Sequence, residues 1–264
     1  MSVNYSVVGA GEPLVLLHGL GHRWQAWEPV LDRLAAQHRV YAVDLPGFGL
    51  SPLPAGELPD GMPGVLEAVH AFLDALGLER PHVCGNSLGG AVALELAVTG
   101  RAASATALSP AGFCTEAEAR RAVAILRRMR LSTLPPAAVL RLALAVPFVR
   151  AWSFGPLVTK PAALAGERAL GDALALRNST GFRAVARAAH HYRFAGAPSV
   201  PVTVAWGSAD RILQPHQAER ARELLPHARH VALPGCGHVP MSDAPDLVAD
   251  LILSTTRTRH HSGS

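Results

Sequence analysis

Ser87 lies in a five-residue pattern that is typical of an activated serine. The segment reads Gly85-Asn86-Ser87-Leu88-Gly89, and it joins an apolar stretch at 81–84 to a run of small residues. A strand that reverses sharply into a helix forces strained backbone angles on the serine, and glycines let the two elements approach closely. The pattern predicts that the Ser87 hydroxyl is a nucleophile, although it also fits a glycine-rich turn with an incidental serine.

Two later segments carry the groups that would activate this serine. Asp210 follows the apolar stretch at 202–205, and His238 follows a second apolar stretch at 230–233. An imidazole exchanges protons near neutral pH and can take the serine proton, while an aspartate fixes its tautomer and stabilises the imidazolium. The sequence therefore predicts a catalytic triad of Ser87, Asp210 and His238.

A third segment supplies a site for the negative charge that develops during acyl transfer. His18-Gly19-Leu20-Gly21 follows the apolar stretch at 14–17, so the Leu20 amide can face the serine from a neighbouring strand end. The Leu88 amide lies at the start of the helix after the serine, where the helix dipole also favours negative charge. We expect Leu20 and Leu88 to form the oxyanion hole.

The order Ser, Asp, His, with each residue after an apolar strand, is that of the α/β-hydrolase triad. On these motifs the chain resembles the capped serine hydrolase branch of the α/β-hydrolase superfamily, which includes small esterases, lactonases, cofactor-free perhydrolases and carbon–carbon bond hydrolases. The resemblance covers roughly Tyr5 to Leu253 and includes 44–51, which is similar to that family's turn after its second parallel strand. It implies hydrolysis through an acyl-enzyme without a cofactor or metal ion. One departure is at 3–8, which leaves room for a single opening strand.

Other residues near these motifs compete for the same roles. We expect His18 to be structural, Asp44 to bond the backbone of its own turn, and Asp243 to belong to a helix N-terminal region too close to His238 to orient it. Some family members carry the acid one strand earlier, but 109–112 contains no carboxylate. Cys236 lies near His238, yet a cysteine nucleophile would stand at the serine position.

Composition and periodicity predict one α/β domain with an inserted helical segment. The chain has 264 residues, of which 49% are hydrophobic, and short apolar strands alternate with amphipathic helices. This alternation predicts a mostly parallel sheet with helices on both faces. From 113 to 195 the pattern is helical, and we assign this range to a cap inserted into a core formed by 1–112 and 196–253. The polar segment 254–264 is expected to be a flexible tail.

Several classes of location and partner are disfavoured. No apolar run approaches the roughly 20 residues of a membrane span, and no signal-peptide pattern opens the chain, so we expect a cytoplasmic protein without a membrane partner. The three cysteines are expected to be reduced thiols. The net charge is +4, but apart from Lys160 every basic residue is a scattered arginine, which does not indicate nucleic acid. The expected partner is a small-molecule substrate, and the oligomeric state stays open.

The cap should select the substrate. Its apolar residues suggest an uncharged, mostly apolar group, and Trp152 and Phe154 are candidate substrate contacts, although such residues also pack helices together. Hydrolysis of a carbon–carbon bond would need a carboxylate clamp, for which Arg177, Arg183 and Arg211 are available. Ester or lactone hydrolysis is favoured. A thioester, acyl transfer to an acceptor other than water, and a non-catalytic ligand-binding role stay open.

Overall fold

The computed structural model describes residues 3–53 and 61–257. Within them, seven strands form one sheet in the order β1-β3-β2-β4-β5-β6-β7. Only β1 is antiparallel to its neighbour, β3. The mostly parallel sheet and the single opening strand before β2 are both as predicted. The strands are β1 Tyr5–Val8, β2 Glu12–Leu17, β3 His38–Val43, β4 His82–Asn86, β5 Ser104–Leu108, β6 Val202–Gly207 and β7 Arg229–Leu233.

Helices connect the strands and cover both faces of the sheet. Two short 3-10 helices, at Trp24–Trp27 and Pro161–Ala163, accompany the α-helices of the described residues. The α-helices are α1 Glu28–Ala35, α2 Met62–Ala75, α3 Leu88–Val98, α4 Glu116–Ser132, α5 Ala137–Ala145, α6 Pro147–Phe154, α7 Gly166–Asn178, α8 Phe182–Ala188, α9 Gln217–Leu224, α10 Pro240–Asp243 and α11 Pro245–Thr256.

Successive side chains of β2 belong alternately to two core clusters, one on each face of the sheet. Val15 and Leu17 join the cluster that contains the buried residues of α2 and α3, while Leu14 and Leu16 join the cluster of α1 and α11. All four of these side chains are fully buried. A strand that is apolar on both faces is the expected form in a parallel sheet covered by helices, because neither face meets water.

Five helices, α4 to α8, lie between β5 and β6 in the chain, in the region assigned to the cap. Their breaks follow the prolines: α5 begins after Pro136, α6 begins at Pro147, and the second 3-10 helix begins at Pro161. The first helix begins with a capping box, in which Thr115 and Glu118 satisfy each other's backbone amides. The division into 1–112, 113–195 and 196–253 stays a prediction.

The C-terminal helix corrects the expected start of the flexible tail. Helix α11 continues to Thr256, so the first three residues of 254–264 are helical. The Thr255 side chain is buried, and its hydroxyl bonds the Thr203 hydroxyl and the Leu251 carbonyl, which secures this last turn to the sheet. Residues 258–264 lie outside the described part of the chain.

Within the described residues, no single helix has both the length and the apolar character needed to cross a membrane. Helices α5 and α6 reach that length only when taken together, across a bend of 106°.

Candidate active site

Ser87 forms the turn between β4 and α3 with strained backbone angles. Its φ is 56° and its ψ is −112°, in the left-handed region that residues with a side chain rarely adopt. The glycines on either side are required by contact. A β-carbon at Gly85 would lie 1.9 Å from the Gly89 carbonyl oxygen, and one at Gly89 would lie 2.0 Å from the Leu17 carbonyl oxygen. The geometry is that of the strained strand-to-helix turn that the sequence predicted.

Asp210 and His238 meet beyond the adjacent ends of β6 and β7. His238 Nδ1 lies 2.8 Å from Asp210 Oδ2, and both side chains are buried. Because the Asp210 carboxylate only accepts hydrogen bonds, Nδ1 carries the proton and Nε2 is left as a base. The other oxygen, Asp210 Oδ1, accepts from the amides of Ile212 and Leu213 at 2.8 and 2.9 Å, which fixes the carboxylate.

Ser87 and His238 line the same cavity, together with Asn86 and Leu20. Among the described residues, the Ser87 hydroxyl makes no hydrogen bond. Contacts between a nucleophile and its base are often long before substrate binds. The structure therefore brings the three predicted triad residues to one site, with the histidine and acid already joined and the serine facing their cavity.

Leu20 and Leu88 adjoin Ser87 from opposite sides. A β-carbon at Gly19 would lie 3.2 Å from the Ser87 β-carbon, so the loop that carries Leu20 passes directly over the nucleophile. Leu88 is the first residue of α3. In the part of the chain that the structure describes, neither main-chain amide has an acceptor. Both amides are therefore available to an oxyanion.

Asn86 is a site residue that the sequence reasoning did not single out. Its side-chain nitrogen donates to the main-chain oxygens of Leu108, at 3.1 Å, and His238, at 2.8 Å. The bond joins the end of β4 to the segment 234–239, which contains His238 and is called the histidine loop here. The two bonded residues are 152 positions apart in the sequence. Its place directly before Ser87 was visible in the sequence, but the partner was not.

Asp243 ties the histidine loop to the helical insertion. One carboxylate oxygen accepts from the Gly237 amide at 2.7 Å, and the other accepts from the Thr159 amide at 2.8 Å and its hydroxyl at 3.0 Å. Asp243 lies in the first turn of α10 and directly before the N-cap of α11, so it belongs to a helix N-terminal region as expected. Its carboxylate bonds two loop amides and does not bond His238.

His18 and Asp44 hydrogen-bond backbone groups of the loops beside the site, as expected. His18 Nε2 accepts from the Leu45 amide at 2.9 Å, so its Nδ1 carries the proton that is donated to the Gly19 carbonyl. Burial lowers the pKa of His18 from its usual 6.5 to about 4. Asp44 accepts from the amide of Leu50 in its own turn and from that of Trp24. Both side chains are structural.

The cavity in front of Ser87 and His238 has a volume of about 250 Å³ and is mainly apolar. It lies between the strand ends and the helices of the insertion. Trp152 and Phe154, the two candidate substrate contacts, both line it, although Phe154 is also buried in a core cluster and Trp152 is 73% exposed. The members from the insertion include Leu126, Met129, Leu140, Leu144, Val149 and Leu176.

A second, smaller cavity of about 70 Å³ opens on the other side of Ser87. It shares Leu20 and Leu126 with the large cavity and is bounded by the Leu88 side of the turn. Most of its wall consists of glycine, alanine and aliphatic residues. Ser87 thus lines both a larger and a smaller apolar cavity.

One polar group in the large cavity was also missed. Asp172 lies in the cavity wall, where Arg23 and Arg168 neutralise it at 3.3 and 2.9 Å. Next to it, His22 Nδ1 is buried without a hydrogen-bond partner, and burial lowers the pKa of His22.

The described cysteines are free and buried. Burial raises the pKa of Cys84 and Cys236, which keeps these thiols protonated. In the ranges 3–53 and 61–257, no three His, Cys, Asp or Glu side chains are grouped closely enough to hold a metal ion.

None of the three candidate arginine clamps lines either cavity. Among the described residues that line either cavity beside Ser87, none is an arginine. Arg177 lies behind the wall of the large cavity, where it donates to the carbonyls of Thr133 and Pro135. Arg211 lines a groove that adjoins the large cavity.

Comparison with known proteins agrees with this architecture. A family model described as "alpha/beta hydrolase fold" matches residues 12–245. The pimeloyl-[acyl-carrier protein] methyl ester esterase of Aeromonas hydrophila is 46% identical over 99 residues, which are 38% of this chain and 37% of that protein. The 2-hydroxy-6-oxo-2,4-heptadienoate hydrolase of Pseudomonas putida is 39% identical over 101 residues, 37% of this chain and 36% of that protein.

These matched stretches span little more than a third of each curated relative. Among solved structures, a thermophilic esterase from Thermogutta terrifontis is similar with a TM-score of 0.75 and 22% identity. The match covers 97% of this chain and 94% of that one. At this identity the likeness concerns the fold alone.

Proposed function

The chain belongs to the α/β-hydrolase fold family, and from that premise we propose that it is a serine hydrolase cleaving a carboxylic ester or lactone of a small, mostly apolar substrate. Ser87 is the nucleophile, His238 the base and Asp210 the orienting acid. One observation carries the proposal: the buried 2.8 Å hydrogen bond between His238 and Asp210, on a histidine that shares a cavity with the strained Ser87.

The first half of the reaction forms an acyl-enzyme. Ser87 Oγ attacks the carbonyl carbon while His238 Nε2 takes the hydroxyl proton, and Asp210 stabilises the imidazolium. The amides of Leu20 and Leu88 hold the oxyanion of the tetrahedral intermediate. The loss of one such donor typically lowers the rate on the order of a hundredfold or more. When the intermediate collapses, His238 returns the proton to the departing alcohol oxygen.

The second half repeats these steps with water. His238 Nε2 removes a proton from a water molecule that attacks the acyl carbon, and the oxyanion again lies against the two amides. Collapse breaks the bond to Ser87 Oγ, which recovers its proton from His238. The acid product then leaves through the large cavity, and in a lactone the acid and alcohol leave as one molecule.

The helical insertion serves as a cap that selects the substrate in this proposal. It supplies most of the wall of the large cavity, and Trp152 and Phe154 contact the apolar part of the substrate. The two unequal apolar spaces beside Ser87 support an uncharged group at the scissile bond. The name of the Aeromonas relative specifies a methyl ester, which supports the ester class for this chain.

Hydrolysis of a carbon–carbon bond is the second candidate, because the Pseudomonas relative is named for a hydroxy-oxo-dienoate substrate. Such a substrate carries a carboxylate close to the bond that breaks, and arginine is its natural clamp. No arginine lines the described part of either cavity beside Ser87, which favours the ester. We expect a neutral short-chain ester to be hydrolysed, while a yellow 2-hydroxy-6-oxo-dienoate bleaches slowly. A kcat/KM for the dienoate a hundredfold above that for the ester would reverse the assignment.

The decisive variant is Ser87→Ala, assayed with p-nitrophenyl acetate and butyrate. We expect turnover to fall to background, because the nucleophile is removed, while the thermal melt shows a folded protein, because the glycines that form the turn are kept. Ser6→Ala is the matched control, since Ser6 lies on the edge strand β1 and lines neither cavity. Activity of Ser87→Ala within tenfold of the parent would refute the proposal.

Covalent labelling distinguishes a serine hydrolase from a ligand-binding protein that has the same fold but no catalytic activity. We expect a fluorophosphonate probe to modify Ser87 in the native protein and to leave the heat-treated protein unmodified, because only the folded site activates the hydroxyl. Mass spectrometry of the labelled peptide identifies the residue. No labelling of the native protein would favour the non-catalytic role.

A further inference from the structure

A groove of about 360 Å³ adjoins the outer end of the large cavity, and three arginines line it. Arg121 and Arg128 lie on α4, while Arg211 directly follows Asp210 in the chain. All three are exposed, and within the described residues no carboxylate lies within 4 Å of their guanidinium groups. Arg121 donates to the Arg211 carbonyl at 3.0 Å, which holds the two elements together.

This arrangement differs from that of the other arginines around the large cavity. Arg23 and Arg168 are both paired with Asp172 in its wall. The three guanidinium groups in the groove have no carboxylate partner among the described residues, and an anion placed between them would be attracted by all three. The planar forks of arginine also suit the paired oxygens of a carboxylate or phosphate.

The groove and the large cavity share part of their walls. Met129, Ser132, Trp152 and Ser153 line both of them. An extended chain that passes this shared wall from the large cavity reaches the arginines. The two serines at this border add polar groups where the surroundings change from apolar to charged.

The opposite side of Ser87 accepts only a small group. The second cavity has a volume of only about 70 Å³, and its wall includes Ala119, Ala122 and Ala189. A cavity needs about 10–15 Å³ to hold one water molecule, so this one holds a group of only a few heavy atoms.

Building on the proposed function, we propose that the substrate is an ester with a small group on one side and an extended apolar chain on the other, and that the chain ends in an anionic group bound by Arg121, Arg128 and Arg211. The anionic group is a carboxylate or a phosphate. It lies outside the apolar cavity, so the scissile ester itself remains in uncharged surroundings. The groove therefore differs from the carboxylate clamp of a carbon–carbon bond hydrolase, which would bind beside the reacting carbon.

The test compares charged and neutral esters of equal chain length with the full-length enzyme in a pH-stat. One series consists of monomethyl esters of α,ω-dicarboxylic acids against methyl alkanoates, and the other of acetates of ω-hydroxy acids against alkyl acetates. Members with a terminal phosphate in place of the carboxylate show which anion binds better. We expect one series to have an optimal length at which the anionic ester has a KM about tenfold below that of its neutral match.

Variants then locate the effect. Arg128→Gln should raise KM for the anionic ester about fivefold to tenfold, while kcat and all constants for the neutral ester stay unchanged. Arg121→Gln and Arg211→Gln should raise the ratio of KM for the anionic ester to KM for the neutral ester. Arg127→Gln is the matched control, because Arg127 is an exposed neighbour on α4 that does not line the groove. Sodium chloride at high concentration should raise KM for the anionic ester alone, because salt screens exposed charges.

The outcomes distinguish this inference from the proposed function. Equal KM values for charged and neutral esters in both series, or equal effects of Arg127→Gln and Arg128→Gln, would overturn the anion groove while ester hydrolysis stands. If neither kind of ester is turned over in a manner that depends on Ser87, the proposed function itself fails.

Discussion

The Asn86 side chain donates a hydrogen bond to the main-chain oxygen of His238 at 2.8 Å, so the residue before Ser87 also positions His238. The same nitrogen donates to the Leu108 carbonyl at 3.1 Å. The ends of β4 and β5 and the loop after β7 are thereby coupled beside Ser87. The bond is buried, so water does not compete for it.

We predict that Asn86→Ala lowers kcat by about tenfold to a hundredfold and changes KM little. The histidine loop loses its tether, and a displacement of about 1 Å in a catalytic group can cost a hundredfold in rate. The measurement is steady-state hydrolysis of p-nitrophenyl butyrate, together with a thermal melt. Asn178→Ala, at an exposed position, is the control. An unchanged kcat in folded Asn86→Ala would mean that the loop is held by other contacts.

Asp210→Asn should reduce kcat by about four orders of magnitude without unfolding the chain. The amide can still accept from the backbone amides, but it favours the tautomer in which His238 Nε2 carries the proton and cannot act as a base. Steady-state rates and thermal melts for both proteins provide the check. If the variant kept most of its activity, another carboxylate would have to orient the histidine.

Local sequence patterns identified the strands, the nucleophile turn and the order of the site residues. Glycine spacing around Ser87 is a local requirement, because the turn brings Gly85 against the backbone of Gly89 in the same segment. The alternation of apolar strands and helices likewise reports burial on both faces of the sheet. These features could be predicted because each depends on neighbours in the chain.

Contacts between distant segments could not be predicted in this way. Asn86 and Asp243 gained their roles from loops that come together only in the fold, and nothing in their local sequence names His238 or Thr159 as a partner. The end of α11 was missed for the same reason. A polar tail at 254–256 suggested fraying, but Thr255 finds a buried partner in β6.

His18 should make stability depend on pH. Burial lowers its pKa in the folded state from 6.5 to about 4, so between these values the unfolded chain binds more protons. The contribution of His18 to the free energy of unfolding is fully present above about pH 6.5. It is lost as the pH falls toward 4, and the loss is about 3 kcal/mol at most. Urea unfolding at several pH values measures the slope. We expect His18→Gln to lower stability at neutral pH and to flatten this slope.

The control for that experiment is His227→Gln, at an exposed position. It should leave the slope between pH 4 and 6.5 as in the parent. If His18→Gln kept the full slope, the loss of stability on acidification would arise from other groups.

Trp152→Ala and Phe154→Ala should shift the preferred chain length of the substrate. Both residues line the large cavity, and removing an aromatic ring adds space there while costing apolar contact. We expect the optimum in a panel of p-nitrophenyl esters to move to longer chains, with kcat/KM for short esters about fivefold to tenfold lower. Phe148→Ala is the matched control, because Phe148 is on the same helix, α6, but is 78% exposed and lines neither cavity. An unchanged profile in both variants would argue against substrate contact.

Ala122→Leu should narrow the range of groups accepted on the small side of the ester. Ala122 lines the small cavity, whereas Ala124 on the same helix is exposed, so Ala124→Leu makes the same chemical change away from the site. Each buried methylene contributes about 0.8 kcal/mol, or roughly fourfold in rate, so the loss should grow as the small group is extended. Esters with methyl, ethyl, propyl and butyl groups on that side provide the measurement. We expect nearly unchanged kcat/KM for the methyl ester and a progressive fall for the longer ones in Ala122→Leu alone. A uniform loss across the panel would instead indicate that the larger side chain disturbs Ser87 itself.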